Sequence, residues 1–454
     1  MSKPAPRDFR PKLHFTAPSM WLNDPNGLAL ENGVYHLYYQ HYPYDTVWGP
    51  MHWGHAVSSD LHHWEHRPIA LYPNELGMVF SGSAVVDEKN VSGLGQDGKA
   101  PFIAFCTSHG EKEQQSMAWS LDGGNTFTWF SGNPIIGNPD IRDFRDPKVF
   151  ANPVLGGFSM IVSAQDRAML YHSDNLKEWK KTGEFGPVPE LSQEGFVWEC
   201  PDLFPLVCNG KEIWVMVLSV VFPAPKGGHH TVYFTGDFDG KTFHRHEDSP
   251  MELLDGGPDC YAGSTYWGTQ DRIFIAWQAC PSYAGEVPTG EYCGQMTLPR
   301  IFTLKETPRG VKLSAKPVGL EDQLASGHTA GETLSSETFA LRVTGSGAGS
   351  VTLCNDEGEE VVFGIDEENC LFVDRSRSTN LHFSQNYEKP ELQFYRCPRF
   401  ETGEWQLDAI FDVSSLELYV DEGTRWMSQL LFPSQPYKKI KFQGKICISL
   451  TDFL

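Results

Sequence analysis

An all-β chain is predicted, with a five-bladed β-propeller followed by a C-terminal β-sandwich. Three observations point there. Helical periodicity is nearly absent over the first three hundred residues. The same grammar of polar opening, two short apolar strands and a polar hairpin returns five times at intervals of about 55 to 65 residues. Beyond residue 304 the character changes to short alternating strands of another kind.

The first round opens on residues 21–27, Trp-Leu-Asn-Asp-Pro-Asn-Gly, and feeds the alternating run Val-Tyr-His-Leu-Tyr-Tyr-Gln at 34–40. Pro25 fixes its own φ and pushes Asp24 toward an extended backbone, and Asn26-Gly27 supplies turn chemistry. A carboxylate on so constrained a backbone can be aimed. The second round is Phe-Ser-Gly-Ser-Ala-Val-Val at 80–86 with a strand at 101–106. The third is Phe-Arg-Asp-Pro-Lys-Val-Phe at 144–150 with a strand at 158–162. The fourth is Trp-Glu-Cys-Pro-Asp-Leu-Phe at 198–204 with the apolar run 213–222, and the fifth is Pro-Asp-Cys-Tyr-Ala-Gly at 258–263 with a strand at 273–277. Ser/Thr-x-Asp hairpins, often closed by Trp, separate the rounds. In a propeller the innermost strands line one channel. The openings Asp24, Ser81, Asp146, Glu199 and Asp259 are therefore expected to meet around one funnel.

The propeller is expected over residues 1–315. Residues 310–350, rich in Gly, Ser and Thr, read as a junction. The sandwich is expected over 330–454, and it carries no cluster of catalytic residue types. A structural or interaction role suits it, and self-association of the chain, where it occurs, is expected there.

Composition narrows the partners. The 454 residues carry a formal net charge of −22, which argues against nucleic acid and anionic membranes, since both need a basic face. The longest apolar run is about half of the roughly 20 residues a membrane helix needs. No apolar leader opens the chain, and the ten cysteines show no Cys-x-x-Cys. A cytoplasmic protein with reduced cysteines is expected. The sixteen histidines lack metal-site spacing, so neither metal nor other cofactor is expected. Phe-Ser-Gly-Ser at 80–83 does not match the nucleophile elbow of a serine hydrolase.

Carboxylate pairs and aromatics remain, the kit for cleaving a glycosidic bond. Asp24 suits the ionised role. Glu199, between Trp198 and Cys200, sits in an apolar sequence context expected to keep it protonated as the acid. A small carbohydrate is the expected partner.

The opening motifs of the first four rounds resemble the signature segments of glycoside hydrolase family 32, the invertases, sucrose-6-phosphate hydrolases and fructanases. The likeness extends to Gly-Gln-Met-Thr-Leu-Pro-Arg at 294–300, Leu-Phe-Val-Asp-Arg-Ser-Arg-Ser at 371–378 and Asp-Val-Ser-Ser-Leu-Glu-Leu-Tyr-Val-Asp-Glu-Gly at 412–423. The resemblance implies a propeller plus sandwich and a retaining β-fructofuranosidase. It implies Asp24 as nucleophile, Glu199 as acid/base and Asp146 as transition-state stabiliser. It also implies a substrate pocket involving Trp21, Leu22, Asn23, Gln40, Trp48, Phe80, Ser81, Arg145 and Trp277. Asp143, in Ile-Arg-Asp-Phe at 141–144, is read as a decoy. Substrates implied are sucrose, sucrose 6-phosphate or short fructo-oligosaccharides, with an exo-fructanase (inulin or levan) or a fructosyltransferase as the alternative. The chain departs from the family pattern at Cys260 and after Trp277, which bears on the leaving group. An inverting arabinanase-type propeller and a sugar-binding scaffold are the competing classes.

Overall fold

The computed structural model describes residues 7–192, 195–222, 228–329 and 331–453. Both expected architectures, a five-bladed propeller and a C-terminal sandwich, are present. The only α-helix among the described residues is the five-residue Glu321–Ala325. The chain forms two compact units: Ala17–Leu254 with Tyr261–Trp277, and Asp255–Cys260 with Gln278–Leu454 and the N-terminal segment up to Thr16.

In the first unit the first blade is an antiparallel meander of Met20–Glu31, Val34–Tyr42, His52–Ser58 and Trp64–Leu71. The second runs Met78–Val86, Phe102–His109, Glu113–Ser120 and Thr128–Trp129. The third runs Phe144–Ala151, Phe158–Ala164, Ala168–Ser173 and Lys180–Phe185. The fourth runs Val197–Cys208, Lys211–Phe222, Gly228–Phe238 and Phe243–Arg245, with Glu252–Leu253 added to Gly228–Phe238. Tyr261–Thr265 and Arg272–Trp277 open the fifth. The first strands of successive blades touch in cyclic order, and the ring closes where Met20–Glu31 meets Tyr261–Thr265.

Apolar side chains from facing blades fill the wedges between them. Ile103, Phe105, Val149, Met160 and Val162 share one such cluster, and Leu170, Phe185, Trp198, Leu218 and Phe234 another. The polar hairpins anticipated from the repeat are self-capped turns. Asp60 accepts from the amides of His62 and His63, Asp122 from those of Asn125 and Thr126, and Asp239 from those of Lys241 and Thr242. Trp64 and Trp179 close two of them by donating to the carbonyls of Leu61 and Leu176. The histidine-rich stretch supplies core rings: His36 and His55 are buried and stacked at 5.3 Å.

The second unit corrects the junction reading of residues 310–350. Gly310–Pro317 is a strand paired with Arg300–Thr307, and Thr338–Cys354 is one 17-residue strand. That long strand pairs with Glu404–Asp412 along its first half, with Glu360–Ile365 along its second, and with Lys439–Asp452 on its other edge. Its register against Lys439–Asp452 shifts between Gly345 and Gly349. A Cβ at Gly345 would lie 2.6 Å from the Trp405 ring, so the glycines let an indole pack on bare backbone. What reads as linker composition is the bend of a core strand. Around it lie Leu341, Val343, Leu353, Phe363, Val373, Leu407 and Leu418, all buried.

Candidate active site

Each first strand of the propeller loses register with its partner at the same place. The shifts fall between Leu22 and Pro25, Val79 and Gly82, Glu199 and Asp202, and Tyr261 and Ser264, and in the third blade opposite Ile161 and Ser163, where Asp146 and Pro147 stand. These are β-bulges, which bend a strand and re-aim its side chains. Aligned on the Pro or Gly that lies in each bulge or directly after it, the strands give five triplets: Asn23-Asp24-Pro25, Phe80-Ser81-Gly82, Arg145-Asp146-Pro147, Glu199-Cys200-Pro201 and Tyr261-Ala262-Gly263. The register break covers the first two positions in blades one and two and the last two in blades three to five. At Gly82 a Cβ would lie 1.9 Å from the Phe105 carbonyl oxygen, so only glycine fits. Asp146, Cys200 and Ala262 take left-handed backbone at φ 64°, 45° and 54°. Such conformations are costly for residues with a Cβ and gather at functional sites.

The middle positions form one tier of contacts. Asp24 Oδ2 accepts from Ser81 Oγ at 2.5 Å and from Cys200 Sγ at 3.5 Å, while Asp24 Oδ1 accepts from Asn23 Nδ2 at 2.9 Å. Asp146 Oδ2 accepts from the Cys200 amide at 2.9 Å and from its Sγ at 3.5 Å. The Asp146 amide in turn donates to Thr107 Oγ1 at 2.9 Å. Burial pushes the Asp24 carboxyl up, opposed by the hydrogen bonds from Ser81 and Asn23. Burial, with the charges of Glu199 and Asp24, pushes Asp146 up to about 7 against the pull of Arg145.

The first positions form a second tier. Arg145 Nη2 donates to Glu199 Oε1 at 3.0 Å, and the Tyr261 hydroxyl donates to Glu199 Oε2. Arg145 Nη1 is held by Glu113 at 3.0 Å and Asp143 at 2.7 Å. Burial works against the Arg145 charge, but Glu199, Asp146 and Glu113 outweigh it. Asp24, Asp146 and Glu199 thus share one end of the channel with a single clamped guanidinium.

Several expectations need correction. The apolar setting read for Glu199 is not what surrounds it: Trp198 points into the wedge between blades, while Glu199 meets Arg145 and Tyr261. Alternation along a strand sends sequence neighbours to opposite faces. Asp259 does not join the funnel. It is wholly buried in the other unit, ion-paired with Arg375 at 2.9 Å. Asp143, read as a decoy, is one of the two carboxylates holding Arg145. Leu22 is 0% exposed and presents no surface to a sugar. Gln40 is also buried, its amide donating to Asn26 Oδ1 at 2.7 Å and to the Val79 carbonyl at 3.1 Å, so it supports the Asp24 turn from behind. Cys260 is buried and lies outside the propeller unit.

The remaining residues expected in the pocket join the chain neighbours of Asp24 and Ser81. Trp21 donates its indole N–H to Asn23 Oδ1 at 2.7 Å and meets Trp277 edge-on at 5.9 Å. Trp48, 52% exposed, stands edge-on to Phe80 at 6.1 Å, and Phe80 stacks on His109 at 4.2 Å. Sequence reasoning missed Tyr261, Cys200, Glu113 and His109. Tyr261 had a signal: aligned by its bulge, it falls in the position of Arg145 and Glu199.

Comparison with known proteins gives the family. The model of the glycosyl hydrolases family 32 N-terminal domain matches residues 14–317, and that of the family 32 C-terminal domain matches residues 307–446. The chain is 37% identical to the levanase of Bacillus subtilis (strain 168), over 96% of this chain and 68% of that protein. It is 33% identical to an extracellular exo-inulinase of Aspergillus niger, covering 94% and 90% of the two chains. The crystal structure of exo-inulinase from Aspergillus awamori superposes with a TM-score of 0.89 at 30% identity, covering 99% of each chain. The paired tiers of acids therefore stand on a scaffold shared throughout its length with these proteins, and the chain belongs to glycosyl hydrolase family 32.

Proposed function

We propose that this protein is a retaining β-fructofuranosidase that removes terminal β-D-fructofuranosyl units from sucrose, sucrose 6-phosphate or short fructo-oligosaccharides. The observation that carries the reading is the pair of tiers. Asp24 sits among donors that favour its anion, and Glu199 stands on the neighbouring tier where a leaving-group oxygen can reach it. Glu199 gives its proton to the glycosidic oxygen as Asp24 attacks C2 of the fructosyl unit, and the C2–O bond to the leaving sugar breaks. The covalent ester neutralises Asp24. Glu199, now a carboxylate, removes a proton from water, the water oxygen bonds to C2, and Asp24 departs as an anion. Asp146, beside Arg145, accepts hydrogen bonds from fructosyl hydroxyls and stabilises positive charge developing at C2. A carboxyl separation of roughly 5–5.5 Å accompanies this course in retaining enzymes.

An exo-fructanase is the second reading, supported by the likeness to proteins named levanase and exo-inulinase. Initial rates of fructose release from sucrose, sucrose 6-phosphate, kestose, inulin and levan separate the two. NMR of the first-formed product tests the mechanism, because initial release of α-fructofuranose would overturn retention. The reading also includes work in a reducing, cytoplasmic setting, supported by ten cysteines that are all free thiols.

A further inference from the structure

The first strands of blades two to five run away from the carboxylates and end around a second cavity of about 670 Å³, within the range of small-molecule sites. It lies wholly within the propeller unit. Its walls are aromatic: Phe150, Phe158, Phe204, Trp214 and Trp267 all line it.

Its charged groups are incompletely matched. Asp202, 1% exposed, accepts through Oδ2 from the Thr265 amide at 2.7 Å, from Thr265 Oγ1 at 2.8 Å and from Lys148 Nζ at 3.3 Å. Its Oδ1 has no hydrogen-bond partner among the described residues. The same holds for the buried Tyr266 hydroxyl, for Thr269 Oγ1 and for Arg272 Nε. Arg272 lies 5.1 Å over the Phe204 ring, and Asp202, already serving Lys148, is the acid beside it. Asp87, also buried in the lining, is occupied by the amides of Val91 and Ser92. Glu88, Lys89 and Asp174 stand exposed at the rim, where water screens them. Burial draws Lys148 below its ordinary value, opposed by Asp202 and helped by Arg272.

Buried polar groups are normally paired, so several orphans around one aromatic cavity define what would satisfy them. We propose that this cavity binds a hydroxylated organic anion of sugar size. Its anionic group lies on Arg272, a hydroxyl donates to Asp202 Oδ1, and its ring rests on the aromatic walls. Phosphate ester and carboxylate share this chemistry.

Calorimetric titration of the full chain carrying Asp24→Asn, with glucose 6-phosphate, glucuronate and glucose as probes, tests the proposal. At least one of the two anions is expected to bind one-to-one, about tenfold or more tighter than glucose, and the better of the two identifies the head group. Arg272→Met should weaken that binding about tenfold or more, with fructoside hydrolysis by the Asp24-containing Arg272→Met enzyme unchanged. Tyr266→Phe, which deletes one oxygen, should weaken it less and leave the melting temperature of the free protein in place. The proposal is overturned if neither anion outbinds glucose, if both variants bind as the parent does, or if fructose displaces the bound anion.

Discussion

Ser81 donates a 2.5 Å hydrogen bond to Asp24 across 57 positions of sequence, joining the bulge of the second blade to that of the first. The bond favours the Asp24 anion, while burial favours its neutral acid. Removing the hydroxyl leaves burial less opposed, so the Asp24 pKa rises further. In Ser81→Ala the acid limb of the kcat/KM profile should move to higher pH by about one unit, since a hydrogen bond to a charged acceptor is worth about 1.5–3 kcal/mol. A profile that stays in place would show that Asp24 does not set this limb.

Asp24→Asn keeps the shape of the carboxylate but removes its charge and nucleophilicity. Turnover should fall by about 10⁴-fold or more while the fold is retained. Circular dichroism and thermal unfolding beside the activity assay separate chemistry from collapse. Retained turnover would support the sugar-binding scaffold instead.

Glu199→Gln removes a proton donor, and the loss should depend on the leaving group. For sucrose a fall of about 10²–10⁴-fold is expected. With a nitrophenyl β-fructofuranoside, whose leaving group needs no proton, the first step should largely recover. Added azide, which attacks without base assistance, should then speed the second step. Equal losses on both substrates would remove Glu199 from the acid role.

In the other unit, His14 Nδ1 lies 2.8 Å from Asp412 and Nε2 3.1 Å from Glu417, all three side chains fully buried. Burial alone would lower the His14 pKa, but hydrogen bonds to both carboxylates raise it to about 9. A raised cation pKa contributes stability that is complete below the unfolded value near 6.5 and is lost as pH rises through about 9. Denaturant unfolding should therefore show stability declining over that window. His14→Ala should cost about 3–5 kcal/mol at pH 6, because it leaves the buried Asp412 carboxylate without a cation while Glu417 keeps Arg300, and should flatten the decline. A pH-independent difference between the two proteins would show that His14 is neutral in the fold.

Asp24, Asp146 and Glu199 were legible because each stands one or two positions before a proline in a polar opening of the repeat. The repeat also misled. Counting its period placed Asp259 in the funnel, whereas Tyr261, two residues on, holds the aligned bulge position and Asp259 pairs with Arg375. Period sets how many blades there are, but bulge register sets which side chain faces the channel, and a bulge built on Ala262-Gly263 carries no proline to mark it. Arg145 was visible in its motif, while Glu113 was not, since nothing local reveals that a hairpin strand of one blade will clamp an arginine of the next. Glycine-rich composition hid Thr338–Cys354 for a related reason: bending a strand and loosening a linker call for the same residue.

The strand bearing Asp24 is made before the first strands of the other four blades, and its neighbour bearing Tyr261 is among the last of its unit. The Glu199 pair with Tyr261 can form only after synthesis has passed residue 261. Shortened chains ending before that point would hold two or three aligned acids on an open arc, with nothing across the gap. The surroundings of Glu199 are thus completed in one event, when the two extremities of the ring join.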